Sequence, residues 1–305
     1  MCQTILKAEG ICKAYKNVPV LNGVSMNIRK GDIYGFIGKN GAGKTTLIRI
    51  ISGLTQADGG SFELFGVLSG DKRIASARKK ICAMVESPAI YPDMTAAENM
   101  RMQCLITGKN TACTGELLAF VGLEGTGKKR AKNFSLGMRQ RLAIAMALVS
   151  GPELMLLDEP INGLDPEGIK QVRDLLVKLH EERGVTILIS SHILTELSLF
   201  ATRYGFIDGG RIIKECTPEE IERATGEGCY IECDDTRLAR AILERMGYDV
   251  SPFEGGLHIE KDIDLMQVCA AFAREGINLT KHVRNTLDLE GYFMQLLGKA
   301  AEVTR

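Results

Sequence analysis

No stretch of the sequence approaches the roughly 20 consecutive apolar residues needed to cross a bilayer. Its opening, Met1-Cys2-Gln3-Thr4-Ile5-Leu6-Lys7, has no basic segment followed by an apolar core. A soluble, cytosolic protein is therefore expected. An excess of charge of one sign is also missing, because 38 Lys and Arg balance 38 Asp and Glu. No overall electrostatic footprint invites nucleic acid, and none is expected as a partner. Regular cysteine spacing is absent too: nine cysteines, an odd number, are scattered along the chain, which suits reduced thiols better than a disulfide framework. Cys229 and Cys233 lie four apart, but no matching Cys/His pair lies nearby to complete a metal site, so both read as structural. What is present is 45% apolar residues in a chain of 305. That is enough for one large α/β domain, or for a domain of about 200 residues with a smaller one attached.

The stretch Gly38-Lys39-Asn40-Gly41-Ala42-Gly43-Lys44-Thr45 satisfies the G-x-x-x-x-G-K-[ST] phosphate-loop pattern. Its flanks are those the pattern requires. Ile33-Tyr34-Gly35-Phe36-Ile37 is an apolar run after a Gly31-Asp32 turn, and Leu47, Ile50, Ile51 and Leu54 recur at helical spacing. Glycines let backbone N–H groups close around phosphate oxygens, and the helix N-terminus adds its positive end. Lys44 supplies a point charge for terminal phosphates, and Thr45 a hydroxyl for Mg²⁺. The near-repeat Gly122-Leu123-Glu124-Gly125-Thr126-Gly127-Lys128-Lys129 lacks both the hydroxyl and the preceding strand, so it reads as a basic loop.

Further along, the fully apolar run Leu154-Met155-Leu156-Leu157 ends in Asp158-Glu159. Beside a phosphate loop, such a strand end presents Asp158 to Mg²⁺ and Glu159 to an attacking water. Ser190-Ser191-His192 closes the next apolar run, placing an imidazole at a strand end. The readings there are a hydrogen bond to a terminal phosphate or a purely structural histidine. Glu86 ends the run 81–85, where ligands of open α/β sheets gather; a solvated loop charge is the other reading. Ser135 and Gly137 stand at the start of a buried helix that includes Leu142 to Leu148, a second potential anion site. Tyr15, in a β-rich segment 4–37, reads either as packing or as a platform for a nucleotide base.

Elsewhere, Asn22-Gly23 and Gly31-Asp32 are expected turns of an antiparallel subdomain, and 61–66 a strand. A charged helix is expected over 71–80. A Thr95/Glu98 capping box opens a helix to about Thr107. A loop-rich stretch 108–134 follows, and the helical subdomain spans about 87–150. Asp165 and Pro166 open an amphipathic helix that Gly184 closes. A hairpin turns at Asp208-Gly209-Gly210, and Thr217 starts one further short helix. Gly226 to Gly228 marks a boundary, giving units 1–225 and 226–305. Strand-like (229–233, 257–261, 279–284) and helix-like (236–246, 264–275, 287–297) pieces alternate in the second.

Over roughly residues 3 to 225 the order and spacing of these motifs resemble the nucleotide-binding subunit of ATP-binding cassette (ABC) transporters. The resemblance implies an α/β fold: a P-loop NTPase core with a mostly parallel sheet flanked by helices, an antiparallel β subdomain, a helical subdomain and a small C-terminal α/β appendage. It implies ATP and Mg²⁺ as cofactors and assigns Tyr15 to the adenine. Gly38 to Thr46, with Asn40, Gly41, Ala42 and Gly43, become the phosphate loop. Asp158 joins Thr45 at the metal. Glu159, Lys44 and His192 become the catalytic set, and Asn162 to Asp165 the following loop. Ser135 and Gly137 would meet the phosphate of a second cassette, identical or paralogous, and transmembrane permease subunits would hold the protein at the inner face of the membrane. Two departures stand out. Leu136 and Met138 replace the family's usual glycine and glutamine, and Glu86 replaces a glutamine. As a carboxylate it can still ligate Mg²⁺ and is expected at the metal with Thr45 and Asp158, though it adds a negative charge near a triphosphate. Glu86 followed by Ser87-Pro88, with Tyr91-Pro92, the Phe134 to Met138 signature and the appendage, is most similar to bacitracin- and lantibiotic-immunity exporters. The alternatives are a soluble cassette ATPase acting on ribosomes or DNA, and a nucleotide-sensing regulator. Tandem cassettes and a coiled-coil insertion are missing for the first, and the retained Lys44, Asp158, Glu159 and His192 argue against the second.

Overall fold

Strand β3 (Ile33–Ile37) is buried at all five positions, as expected of a strand covered on both faces. In the computed structural model, which describes residues 3–86, 89–225, 228–253, 255–259, 261, 263–285 and 289–303, β3 lies within a six-stranded sheet. The other members are β6 (Ile81–Met84), β7 (Leu154–Asp158), β8 (Thr186–Ser191), β9 (Arg203–Asp208) and β10 (Arg211–Cys216), in the order β10-β9-β3-β8-β7-β6. Five strands run parallel, and β10 pairs antiparallel with β9. Register matters more than order here. Ile37 lies opposite Ser191, and Asp158 opposite Ser190. The chain therefore leaves β3, β7 and β8 at a common carboxyl edge, where ligands of such sheets bind.

Helix α1 (Lys44–Ser52) follows β3 and is anchored by Leu47, Ile48, Ile50 and Ile51, each no more than 1% exposed. Burying each contributes roughly 1.5–3 kcal/mol, so the loop between strand and helix is held at both ends. Gly53, at φ 87, caps α1 and bonds back to Arg49 and Ile50. Leu54, expected on the inner stripe, instead lies beyond the helix and is 68% exposed. The left-handed glycine turns the chain before the next helical position is reached.

A second sheet, β2-β1-β4-β5, packs over this core. It comprises β1 (Thr4–Tyr15), β2 (Val18–Arg29), β4 (Gly59–Leu64) and β5 (Val67–Leu68). The β1–β2 hairpin turns at Lys16 and Asn17, both at positive φ (49 and 66), the backbone of a two-residue type I′ turn. Asn22-Gly23, expected as a turn, lies inside β2. Ile11 pairs with Val24 and Cys12 with Asn22, so Gly23, at φ 77, is the extra residue of a bulge. The Tyr34 hydroxyl, pushed well above its usual pKa by burial, stays protonated and donates to Glu215 Oε1 at 2.8 Å. That bond ties β3 to β10.

The 71–80 helix contracts to α2 (Ile74–Arg78), because the Asp71 carboxylate accepts from the backbone N–H and guanidinium of Arg73 and holds the first residues in a turn. Between β6 and β7 come α3 (Ala96–Thr107), α4 (Thr114–Phe120) and α5 (Leu136–Leu148). The Thr95/Glu98 capping box forms as expected. Ser135 caps α5, its hydroxyl accepting from Met138 N at 3.2 Å. Helix α6 (Pro166–Arg183) is capped by Asp165 and closed by Gly184. A one-turn α7 (Leu194–Leu197) follows β8. The near-repeat at 122–129 is a 3₁₀ turn over Glu124–Thr126 with its lysines exposed.

The chain divides into units Met1–Cys216 and Thr217–Arg305. The division falls before the expected boundary at 225, so α8 (Pro218–Thr225) groups with the second unit; Gly226 itself is outside the described residues, as are Ser87 and Pro88. The second unit alternates β11 (Gly228–Cys233), α9 (Thr236–Arg245), β12 (Val250–Phe253), β13 (Gly256–Ile259), α10 (Leu265–Arg274) and β14 (Leu279–Asn285), before α11 (Leu289–Val303). Its antiparallel sheet runs β12-β13-β11-β14 over its own core of Ile231, Leu243, Ile259, Val268 and Phe272. Strand β12 was not expected. It contains Pro252 and sits at the sheet edge, where a missing N–H donor is tolerated.

Candidate functional site

The loop between β3 and α1 closes on itself through Lys44. Its ammonium is 6% exposed and donates to the carbonyls of Gly38 at 2.6 Å and Lys39 at 3.3 Å. Two positions admit only glycine. A Cβ on Gly43, at φ 108, would lie 2.5 Å from Leu21 Cδ2 and 2.9 Å from Val20 O; one on Gly38 would lie 2.5 Å from Ile207 O. The resulting cleft is lined by Val20, residues 39–46 and Glu159. Backbone amides and a lysine thus converge on one concavity at a helix N-terminus, which suits phosphates.

Across the cleft, Asp158 is held from two sides. Thr45 Oγ1 donates to its Oδ2 at 2.7 Å, and Ser190 Oγ to its Oδ1 at 2.7 Å. Ser190 is fully buried, and its hydroxyl and carbonyl oxygens also accept from Glu159 N, at 2.9 and 3.2 Å. Sequence reasoning missed Ser190 as a positioning residue. The available signal was a pair of hydroxyls interrupting an otherwise apolar strand. Glu159 has φ 49, a left-handed backbone that non-glycine residues adopt at a cost of order 1–3 kcal/mol. The turn aims its carboxylate back into the cleft. Oε2 lies 2.8 Å from His192 Nδ1, and Oε1 lies 3.3 Å from Lys44 Nζ. The second contact is an ion pair whose geometry leaves the buried Oε1 without a hydrogen-bond donor. One carboxylate oxygen is therefore oriented by an imidazole, and the other has acceptor capacity for a water.

Because a carboxylate only accepts, the proton on the neutral His192 ring sits on Nδ1, leaving Nε2 as an acceptor. A donated bond from Nε2 to a phosphate needs the doubly protonated ring or a rotated one. As placed here, the His192 ring serves Glu159 first.

The remaining expected residues are distributed. Tyr15 ends β1, is 42% exposed and has the Lys13 ammonium over its ring, 5.5 Å from the centre. Ser135 is exposed at the N-terminus of α5, and Gly137 is buried, its Cβ direction facing Gly168 Cα at 3.5 Å. Neither lines the phosphate-loop cleft. Glu86, at φ 62, does not join Thr45 and Asp158. Its carboxylate is 65% exposed and pairs with Arg49, on the last turn of α1. The sequence carried no sign of that partner, since Arg49 occupies the polar side of an amphipathic helix. Among the described residues no group of three or more His, Cys, Asp or Glu could hold a metal, Cys229 and Cys233 included. No helix among them is long and apolar enough to cross a membrane.

A family profile described as ABC transporter matches residues 21–162. The chain is 36% identical over 304 residues to the bacitracin transport ATP-binding protein BcrA of Bacillus licheniformis, covering 97% of this chain and 98% of the relative. It is 41% identical to the lantibiotic transport ATP-binding protein SrtF of Streptococcus pyogenes, over 69% of this chain and 90% of that one. Among solved structures, a dimeric, post-hydrolysis ATP-binding cassette bound to ADP and Pi matches with TM-score 0.63 and 26% identity, over 70% of this chain and 98% of that one. The cassette cbiO1 from Clostridium perfringens matches with TM-score 0.66 and 25% identity, over 80% and 96%. With the phosphate loop, the paired acids and the strand-end histidine assembled at one sheet edge, the chain belongs to the ABC transporter ATP-binding proteins, the ATPase cassettes of that family.

Proposed function

We propose that this ATPase powers separate transmembrane permease subunits, at the inner face of the membrane, that export a peptide antibiotic. The observation that carries the proposal is the near full-length likeness to a bacitracin transport ATP-binding protein, which extends through the C-terminal unit as well as the cassette. Glycine-only positions and a buried lysine fit the phosphates of ATP, and the partly exposed Tyr15 ring suits the adenine. Thr45 and Asp158 place two hard oxygens 2.7 Å apart. That suits Mg²⁺, which takes one or two protein oxygens and completes its shell with phosphate and water. When bound, Mg²⁺ would neutralise charge on the phosphates. The chain's own residues do the rest. Lys44 binds terminal phosphate oxygens, while Glu159 orients water and accepts its proton, and His192 and Ser190 hold Glu159 in place.

Ser135 and Gly137 complete the picture in trans. The N-terminus of the 13-residue α5 carries a positive dipole end, yet lies outside its own chain's cleft. A second cassette, identical or paralogous, would bring its phosphates there, and ATP would then favour the closed pair by population shift. Among the described residues the C-terminal unit shows no acid–base set of the cassette kind, and the appendage, residues 226–305, serves regulation or dimer support. The test is antibiotic susceptibility in cells expressing the chain with its permease. Resistance to bacitracin or a lantibiotic should rise and should vanish with Lys44→Ala. Unchanged susceptibility with intact ATPase activity would remove the peptide-antibiotic assignment.

A further inference from the structure

Two cysteines nine positions apart in sequence meet in space in the helical segment. Helix α3 ends at Gly108, whose left-handed backbone (φ 65) reverses the chain and bonds back to the carbonyls of Cys104 and Leu105. Asn110 then starts a 3₁₀ turn, Thr111–Cys113, by accepting from Ala112 N on its side chain at 2.9 Å. The reversal brings Cys113 beside the last turns of α3. Both thiols donate to a single oxygen, the carbonyl of Asn110, at 3.6 Å from Cys104 Sγ and 3.5 Å from Cys113 Sγ. Sharing one acceptor places the two thiols in the same neighbourhood, where they interact side chain to side chain; a disulfide forms when rotation about χ1 brings the sulfurs to bonding distance. The two differ in access. Cys104 is 0% exposed, whereas Cys113 is half-buried. Burial raises the Cys104 thiol above its usual pKa, and the neighbouring Cys113 thiol adds to the rise. The order of reaction follows from access: the reachable sulfur reacts first and the covered one second.

We propose that Cys104 and Cys113 are a reversible dithiol–disulfide site within the helical segment, oxidised by a low-molecular-weight disulfide such as oxidised glutathione. In the first step the Cys113 thiolate attacks one sulfur of the small disulfide, forming a mixed disulfide and releasing one small thiolate. In the second, Cys104 loses its proton to solvent and attacks the Cys113 sulfur, releasing the second small thiolate. The protein gives up two protons and two electrons, and one small disulfide becomes two small thiols. The two thiols give up their weak S–H···O contacts to the Asn110 carbonyl. The product closes a ten-residue loop that links the C-terminal part of α3 to the turn before α4. In a reducing compartment such a bond is transient, the behaviour of a redox-sensing pair rather than of a structural staple.

The test treats the folded full-length chain with oxidised glutathione, traps free thiols by alkylation and maps the peptides by mass spectrometry. A Cys104–Cys113 linked peptide that a dithiol reductant removes is expected. Cys104→Ser should instead trap a glutathione adduct on Cys113. Cys113→Ser should leave Cys104 unmodified, while the exposed Cys269 reacts in every variant as an internal control. Recovery of Cys104 and Cys113 as free thiols, or of a stable glutathione adduct on Cys113 in the unsubstituted chain, once Cys269 has reacted, overturns the proposal. If a serine variant fails to fold, the map of the unsubstituted chain still decides.

Discussion

Glu159→Gln separates binding from chemistry more cleanly than any other single change at this site. The amide keeps the shape of the side chain and the left-handed backbone at φ 49, and its oxygen can still accept from His192 Nδ1. What disappears is the proton acceptor and one negative charge 3.3 Å from Lys44. Losing a positioned general base costs typically 10²–10⁴-fold in rate, or about 3–5 kcal/mol of barrier. The effect on folding should be far smaller, about 1 kcal/mol, because the altered contacts are a few charge-assisted ones at a side chain that remains 20% exposed. If Lys44 meets the phosphates as proposed, removing the carboxylate beside it also removes repulsion, so ATP should bind at least as tightly as before. Phosphate release would therefore fall by two orders of magnitude or more, while nucleotide titration shows undiminished affinity and sedimentation shows an ATP-dependent dimer accumulating. Turnover within tenfold of the unsubstituted chain would refute Glu159 as the base and shift attention to His192.

Three further outcomes are expected. Glu86→Gln should leave basal ATPase within about tenfold, roughly 1.4 kcal/mol of barrier, yet impair transport in vesicles containing the permease more severely, because Glu86 pairs with Arg49 rather than with the Thr45–Asp158 pair; parallel loss of both activities would place Glu86 in the chemistry. Tyr15→Ala should weaken ATP binding by about 1–3 kcal/mol, the usual worth of base stacking on an aromatic ring, with no shift in Tm because the ring is 42% exposed; unchanged ATP affinity would return Tyr15 to ordinary packing. A chain ending at Cys216 should remain folded and bind ATP, since the cassette and the 217–305 unit each have their own core; a folded truncation that no longer binds nucleotide in a titration would contradict this.

The parts of the site that were legible from sequence are those written locally. A phosphate loop is eight consecutive residues between a strand and a helix, so both its identity and its chemistry can be read along the chain. The same holds for the Thr95/Glu98 capping box, for the Asp165-Pro166 start of α6, and for the acids ending β7. Where local reading failed, one nearby residue outweighed the pattern. Gly53 stopped α1 before Leu54, and Gly23 made a bulge where a turn was expected, because Lys16 and Asn17 already supplied the reversal. Strand β12 was missed because Pro252 argues against a strand until its edge position is known.

Sequence by itself determined the nucleotide chemistry and the class of fold, because hydrophobic period, glycine spacing and strand-end acids are short-range signals of backbone shape. Tertiary structure decided which side chains meet. Ser190 reaches Asp158 across 32 positions and Glu159 faces His192 across 33, because β7 and β8 are adjacent and in register. Arg49 claims Glu86 across 37 positions, and Cys104 meets Cys113 because a glycine reverses the chain after α3. These pairings depend on strand order, register and the direction of individual turns. A linear pattern specifies each of those only through the packing of the whole core, so the partners of the site become visible when the chain is folded.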